Sequence, residues 1–142
     1  MLRIAVIVII VILIGIQFVP VSKTNPPVTG EIKAPADVME ILRTSCYDCH
    51  SNEVKWPWYS NIAPGSWLVV YDVNEAREHI NFSEWDSYSA EDRADDIEEI
   101  WEEVEEGEMP LWYYLPLHPE AKLSDSQKEI IRKWVESGGP EL

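Results

Sequence analysis

"DVMEILRTSCYDCH", residues 37–50, sets the terms on which the rest of the chain is read. Val38, Ile41, Leu42 and Cys46 recur at helical spacing behind Asp37, a natural N-cap. The stretch therefore predicts a short amphipathic helix that delivers CYDCH at its end. Those last five residues hold both cysteines of the chain and one of its three histidines. Three chemistries use thiols at this spacing: a dithiol redox pair, part of a metal site, or covalent attachment of a c-type haem. A thioredoxin-like dithiol belongs in a βαβ context, and this chain reads as helical. A structural zinc takes four ligands; Cys46, Cys49 and His50 lie too close together to supply three of them easily, and no second Cys/His pair exists. A disulfide closing so short a loop adds little stability. Haem attachment uses the whole string. Two thiols add across the two vinyl groups of one porphyrin, and His50, next in sequence, falls under the iron as axial ligand.

A second axial ligand has to come from elsewhere. Met109 stands in "EGEMPL", just past a helix end at Gly107, stiffened by Pro110 and 59 residues beyond His50. A thioether on a stiff loop gives the Met/His ligation of cytochromes c. His118, held between prolines in "LPLHPEAKL", is the runner-up. Met39 is too near the motif to reach round, Met1 lies in the N-terminal apolar run, and His79, with Glu75 and Glu78 nearby, reads as a helix-surface residue. The chain also carries seven tryptophans and six tyrosines. Trp101 and Trp134 fall at core spacing. Trp56, Trp58, Tyr59 and Trp112, followed by Tyr113 and Tyr114, sit in proline-containing loops, where an aromatic needs an apolar surface to lie against. They are read as walls of a haem pocket.

Outward from the motif, the organisation is simple. Residues 1–21 carry an apolar run from Ile4 to Val21 behind one basic residue, Arg3. It is too long for an ordinary signal h-region and near the lower limit of a bilayer span, so it is read as a membrane anchor or, failing that, a signal segment. Residues 22–36, "SKTNPPVTGEIKAPA", read as an extended linker, and 37–142 as the haem-binding domain. Within that domain "WLVVYDVNEAREHI" predicts a helix with Trp67, Leu68, Tyr71, Ala76 and Ile80 near one face. Ser89 and Gly107 bracket another helix, and Ser124 starts the last, which stops before Gly138–Gly139–Pro140. No period-2 run is long enough for a sheet. The fold class is all-α: about four helices and long loops around one haem, which would thicken a thin core.

The net charge is −15, which excludes nucleic acid as a natural partner. Between Glu84 and Glu108 thirteen acidic residues face one basic residue, Arg93. That helix is a solvated face or a docking surface for a basic redox partner.

"CYDCHSNEVKWPWYSNIAPGSW", "DVNEAREHINFSEW", "GEMP" and "HPEAKLSDSQKEIIRKW" follow one another in order. Together they resemble the bacterial haem-binding domain family of small monohaem c-type cytochromes, over nearly all of residues 36–136. The resemblance implies a cytochrome-c-like helical domain with one covalent haem c on Cys46 and Cys49, His50 as axial ligand and Met109 in the second-ligand loop. It also implies an exported, commonly membrane-tethered protein. The expectation is a single-pass inner-membrane protein with its haem domain on the periplasmic side, carrying single electrons rather than acting as an enzyme. The alternative is a haem peroxidase or gas or redox sensor with a displaceable Met ligand.

Overall fold

The computed structural model describes residues 1–139; residues 140–142, the end of the domain read as 37–142, lie outside the described residues. Among the described residues there are six α-helices and no β-strand: α1 (Leu2–Gly15), α2 (Ala36–Ser45), α3 (Tyr47–His50), α4 (Gly65–His79), α5 (Ala90–Glu106) and α6 (Asp125–Glu136). The all-α expectation holds. The two loops carry 3₁₀ turns at Trp58–Asn61 and Pro119–Ala121.

Local chemistry explains the two best-marked helices. Ser89 caps α5 in a reciprocal pair with Asp92, and Ser124 caps α6 in the same way with Gln127. Gly107 ends α5 at φ 80°, a left-handed conformation that glycine adopts without strain. Ile97, Ile100 and Val104 of α5 and Ile131 and Trp134 of α6 are buried, and the two helices pack on each other. Val38, Ile41 and Leu42 bring α2 against α6, while α3 leans on α4.

Three local expectations need correction. Pro35, not Asp37, is the N-cap of α2; Asp37 sits inside the first turn, its Oδ1 accepting from the Val38 N–H at 3.0 Å. CYDCH is not the end of α2. That helix stops at Ser45, Cys46 breaks out at φ −123°, and Tyr47–His50 form a separate turn. Leu42 and Tyr47 are both buried, and an unbroken helix would set them about 140° apart around its axis. The break turns both inward. On α4 the buried face is Ser66, Val70, Val73 and Ala76, whereas Leu68 and Tyr71 are 49% and 60% exposed. Small side chains, not bulky ones, meet the neighbours there.

Helix α1 has 14 residues, about 21 Å of helix, and none of them is buried. Among the described residues no helix is long and apolar enough to cross a membrane. Residues 22–35, nearly all of the segment read as a linker, form no helix or strand yet lie as a strap across the domain. The N–H groups of Thr29 and Gly30 donate to the Ser83 carbonyl (3.0 and 3.1 Å), and that of Ile32 donates to Phe82 (2.9 Å). Ile32 itself is buried. Gly30 permits this approach, since a Cβ there would lie 2.5 Å from Cβ of Asp86. Arg77 fastens the strap from α4, donating from Nη1 to the Thr24 carbonyl at 3.0 Å.

Candidate cofactor-binding site

The turn α3 closes on itself: the N–H groups of Cys49 and His50 both donate to the Cys46 carbonyl, at 3.1 and 2.9 Å. Beyond it the chain turns extended at Ser51, where buried polar side chains fix its course. The Asn52 N–H donates to Ser83 Oγ (2.9 Å), Asn81 Nδ2 to Asn52 Oδ1 (3.0 Å), and the Ser83 N–H to Asn81 Oδ1 (3.1 Å). Arg77 Nε donates to the Ser51 carbonyl at 2.8 Å. A satisfied buried network of this kind specifies one geometry.

That network sets Ile80–Phe82 beside His50. Nδ1 of His50 lies 3.1 Å from the Ile80 carbonyl. A carbonyl only accepts, so Nδ1 carries the proton and Nε2 keeps its lone pair. The Phe82 N–H donates back to the His50 carbonyl at 2.8 Å, and the Phe82 ring lies 5.9 Å from the imidazole and stacks on Tyr47 at 5.5 Å. Burial lowers the His50 pKa. Burial thus favours the neutral imidazole, the form that binds metal.

Both cysteines are free thiols. Burial pushes each up to about 12, helped by Cys49 at Cys46 and by Asp48 at Cys49. Dithiol oxidoreductases work through a thiolate of lowered pKa, and these thiols are shifted the opposite way.

Cys46, Cys49, His50 and Met109 line one cavity of about 380 Å³, within the range of cofactor pockets. Its wall is mostly apolar, with Phe82, Ile100, Val104 and Leu111 contributing, while Asp48, Asp72, Glu75, Glu99 and Glu103 are the acidic groups on it. Met109 arrives on the turn that Gly107 makes: the N–H groups of Glu108 and Met109 both donate to the Glu103 carbonyl, at 3.0 and 3.1 Å. Two tyrosines tie down the loop that follows. Tyr113 donates to Asp72 (3.3 Å) and Tyr114 to Asp48 (3.0 Å).

The other sequence candidates lie elsewhere. Trp56, Trp58, Tyr59 and Trp112 do not line this cavity; Trp58 and Trp112 are 70% and 78% exposed. His118 is outside it too. Its Nε2 lies 2.8 Å from the Tyr59 hydroxyl, its Nδ1 3.2 Å from Glu120, and its ring stacks on Tyr114 at 4.0 Å. His79 is exposed, in keeping with its reading as a helix-surface residue, and also reaches the wall. Phe82 is a wall residue that the sequence candidates omit, whereas Tyr113 and Tyr114, read as walls with the other loop aromatics, do line the cavity. The apolar pair Ile80 and Phe82 flanking Asn81 was the available signal for the former. Ser45 is also in the wall, with its hydroxyl buried and without a partner.

The donor set fits a haem. Among the described residues no three His, Cys, Asp or Glu side chains form a metal-holding group; the imidazole of His50 and the thioether of Met109, on one cavity wall, suit a metal that carries its own further ligands, as a porphyrin iron does. Two thiols stand beside the imidazole, and the surrounding wall is apolar.

A family model described as a haem-binding domain matches residues 11–137. No curated protein and no solved structure matches the chain.

Proposed function

Because the chain belongs to the haem-binding domain family, we propose that it is a cytochrome-c-like, monohaem c-type carrier of single electrons, tethered outside the cytoplasmic membrane by its N-terminal segment. The observation that carries this reading is the convergence of Cys46, Cys49, His50 and Met109 on one apolar cavity. Bound there, the haem supplies an iron centre that takes up and returns one electron. Cys46 and Cys49 attach it through thioethers. His50 presents Nε2 to the metal, and its Nδ1–H donation to the Ile80 carbonyl both orients the ring and raises its basicity. Met109 supplies a thioether, which raises the potential relative to a second histidine. Were His50 and Met109 both to hold the iron, this chain would leave no ligand position for a substrate, which favours a carrier over an enzyme or sensor. The tether is residues 1–21, with Arg3 on the cytoplasmic side.

The test is expression in cells equipped for cytochrome maturation. The purified chain is expected to be coloured, to keep its haem through acid-acetone extraction, and to have the mass of polypeptide plus one haem. Its oxidised spectrum should show a Met–iron charge-transfer band that cyanide at modest concentration leaves unchanged. A colourless product of bare polypeptide mass overturns the reading; rapid ligand binding at a high-spin iron makes the protein an enzyme or sensor instead.

A further inference from the structure

The apolar helix α1 does not leave the domain at an arbitrary point. Gln17, in the 3₁₀ turn that follows it, pairs with the backbone of Ala63 in both directions: its Nε2 donates to the Ala63 carbonyl and its Oε1 accepts from the Ala63 N–H, each at 3.0 Å. Lys23 reaches the same loop, donating to Ser60 Oγ at 3.4 Å and to Asn61 Oδ1. The loop so held, residues 56–64 ("WPWYSNIAP"), contains no Lys, Arg, Asp or Glu, in a chain of net charge −15. At this root Phe18, Val19, Trp58 and Ile62 are 82%, 52%, 70% and 50% exposed. Across the Tyr59–His118 contact (2.8 Å) stands Leu117, 58% exposed. Among the described residues nothing covers these exposed faces, and Trp58 and Ile62 belong to a loop whose aromatics are expected to wall the haem.

We propose that this face is a lipid-docking surface: the domain rests on the bilayer from which α1 rises, with Trp58 and Ile62 in the headgroup region beside Phe18 and Val19. The inference rests on the tether assigned above and adds an orientation to it. Three observations carry it. Helix α1 supplies about 21 Å of apolar length against a hydrocarbon core of about 30 Å, so its apolar stretch is completed only when the residues just after it enter the interface. A short apolar segment is accommodated by drawing its flanks to the membrane, and here the flank is hydrogen-bonded to the 56–64 loop. Tryptophan and bulky aliphatics are the side chains that settle at that depth. Finally, charge is segregated: α5 has ten acidic residues, whereas the root loop carries none. An anionic bilayer repels the first and tolerates the second.

The experiment uses the full haem-loaded chain, isotope-labelled and reduced, in nanodiscs of phosphatidylcholine and phosphatidylglycerol. Amide signals are compared with and without a headgroup-spin-labelled lipid. Docking gives broadening at residues 58–63 and 117 at least several-fold greater than along α5. In the double variant Trp58→Ser/Ile62→Ser, both exposed positions, that broadening should fall several-fold while residues 1–19 keep theirs. Broadening confined to residues 1–19, or spread evenly over the domain, overturns the docking and leaves the face to some other occupant. No broadening anywhere, with no co-flotation with lipid, overturns the docking and the tether together. The haem assignment is read separately from the visible spectrum.

Discussion

Both Met109 and its runner-up as iron ligand, His118, are pinned by neighbouring prolines, and the structure sets them further apart. Met109 lines the cavity, whereas both ring nitrogens of His118 are engaged by Tyr59 and Glu120. Met109→Ala is therefore expected to give high-spin iron without substitution by His118, checked by loss of the charge-transfer band and by the same spectrum in Met109→Ala/His118→Ala. An unchanged band places the ligand elsewhere. Tyr114→Phe removes the bond to Asp48 and should cost about 1 kcal/mol of stability, the usual worth of one such bond, with the Met–iron band more easily displaced by imidazole. Cys46, Cys49 and His50 stand out in the sequence because their string is a signature of haem attachment, and Met109 because glycine and proline bracket it; all four line the cavity. Trp58 and Tyr114 are the opposite case. Both are aromatics in proline-containing loops, and only long-range packing puts one in water and the other on the cavity wall.

Among the elements, α5 and α6 were readable down to their caps because capping is a contact between residues three apart. The break at Cys46 was not, since it answers to two burial demands, at Leu42 and Tyr47, that belong to the whole core. The face of α4 was misjudged for the same reason. Ser89→Ala should destabilise the domain by about 1 kcal/mol, the typical cost of losing an N-cap, and Gly107→Ala by roughly 1–2 kcal/mol through its left-handed backbone; chemical denaturation monitored in the far ultraviolet checks both. The acidic face of α5 has its own pH signature. Asp96 is raised from 3.8 to about 6, by burial first and then by Glu99, Asp92 and Asp95. A folded pKa above the unfolded one means that the folded state holds the proton more tightly. This contribution is complete below the unfolded value and is lost as pH rises through about 6. Asp96→Asn should therefore stabilise the protein at pH 7 and hardly at all at pH 4, compared by thermal unfolding against the native chain.

For the molecule as a whole, the cavity opens among carboxylates: Asp48, Asp72, Glu75, Glu99 and Glu103 all stand on its wall. Electron exchange with a small cationic reagent should outpace that with an anionic one of similar potential at low salt. The gap should close as ionic strength shortens the Debye length toward about 8 Å. Stopped-flow traces at several salt concentrations settle it; a gap indifferent to salt returns these carboxylates to the role of a solvated face.

On the proposed reading, the strap at residues 22–35 changes what a tethered carrier can reach. A free coil of that length would let the domain roam over roughly 20 Å. Here Arg77, Ser83 and Phe82 hold it from Thr24 to Ile32, and almost no slack is left. The protein has no leash to swing on. If the chain is the tethered carrier proposed above, a donor or acceptor would have to come to it, sliding in the same sheet of lipid or docking from the aqueous side, so the frequency of their encounters would be set by the partner's mobility and not by this chain's own.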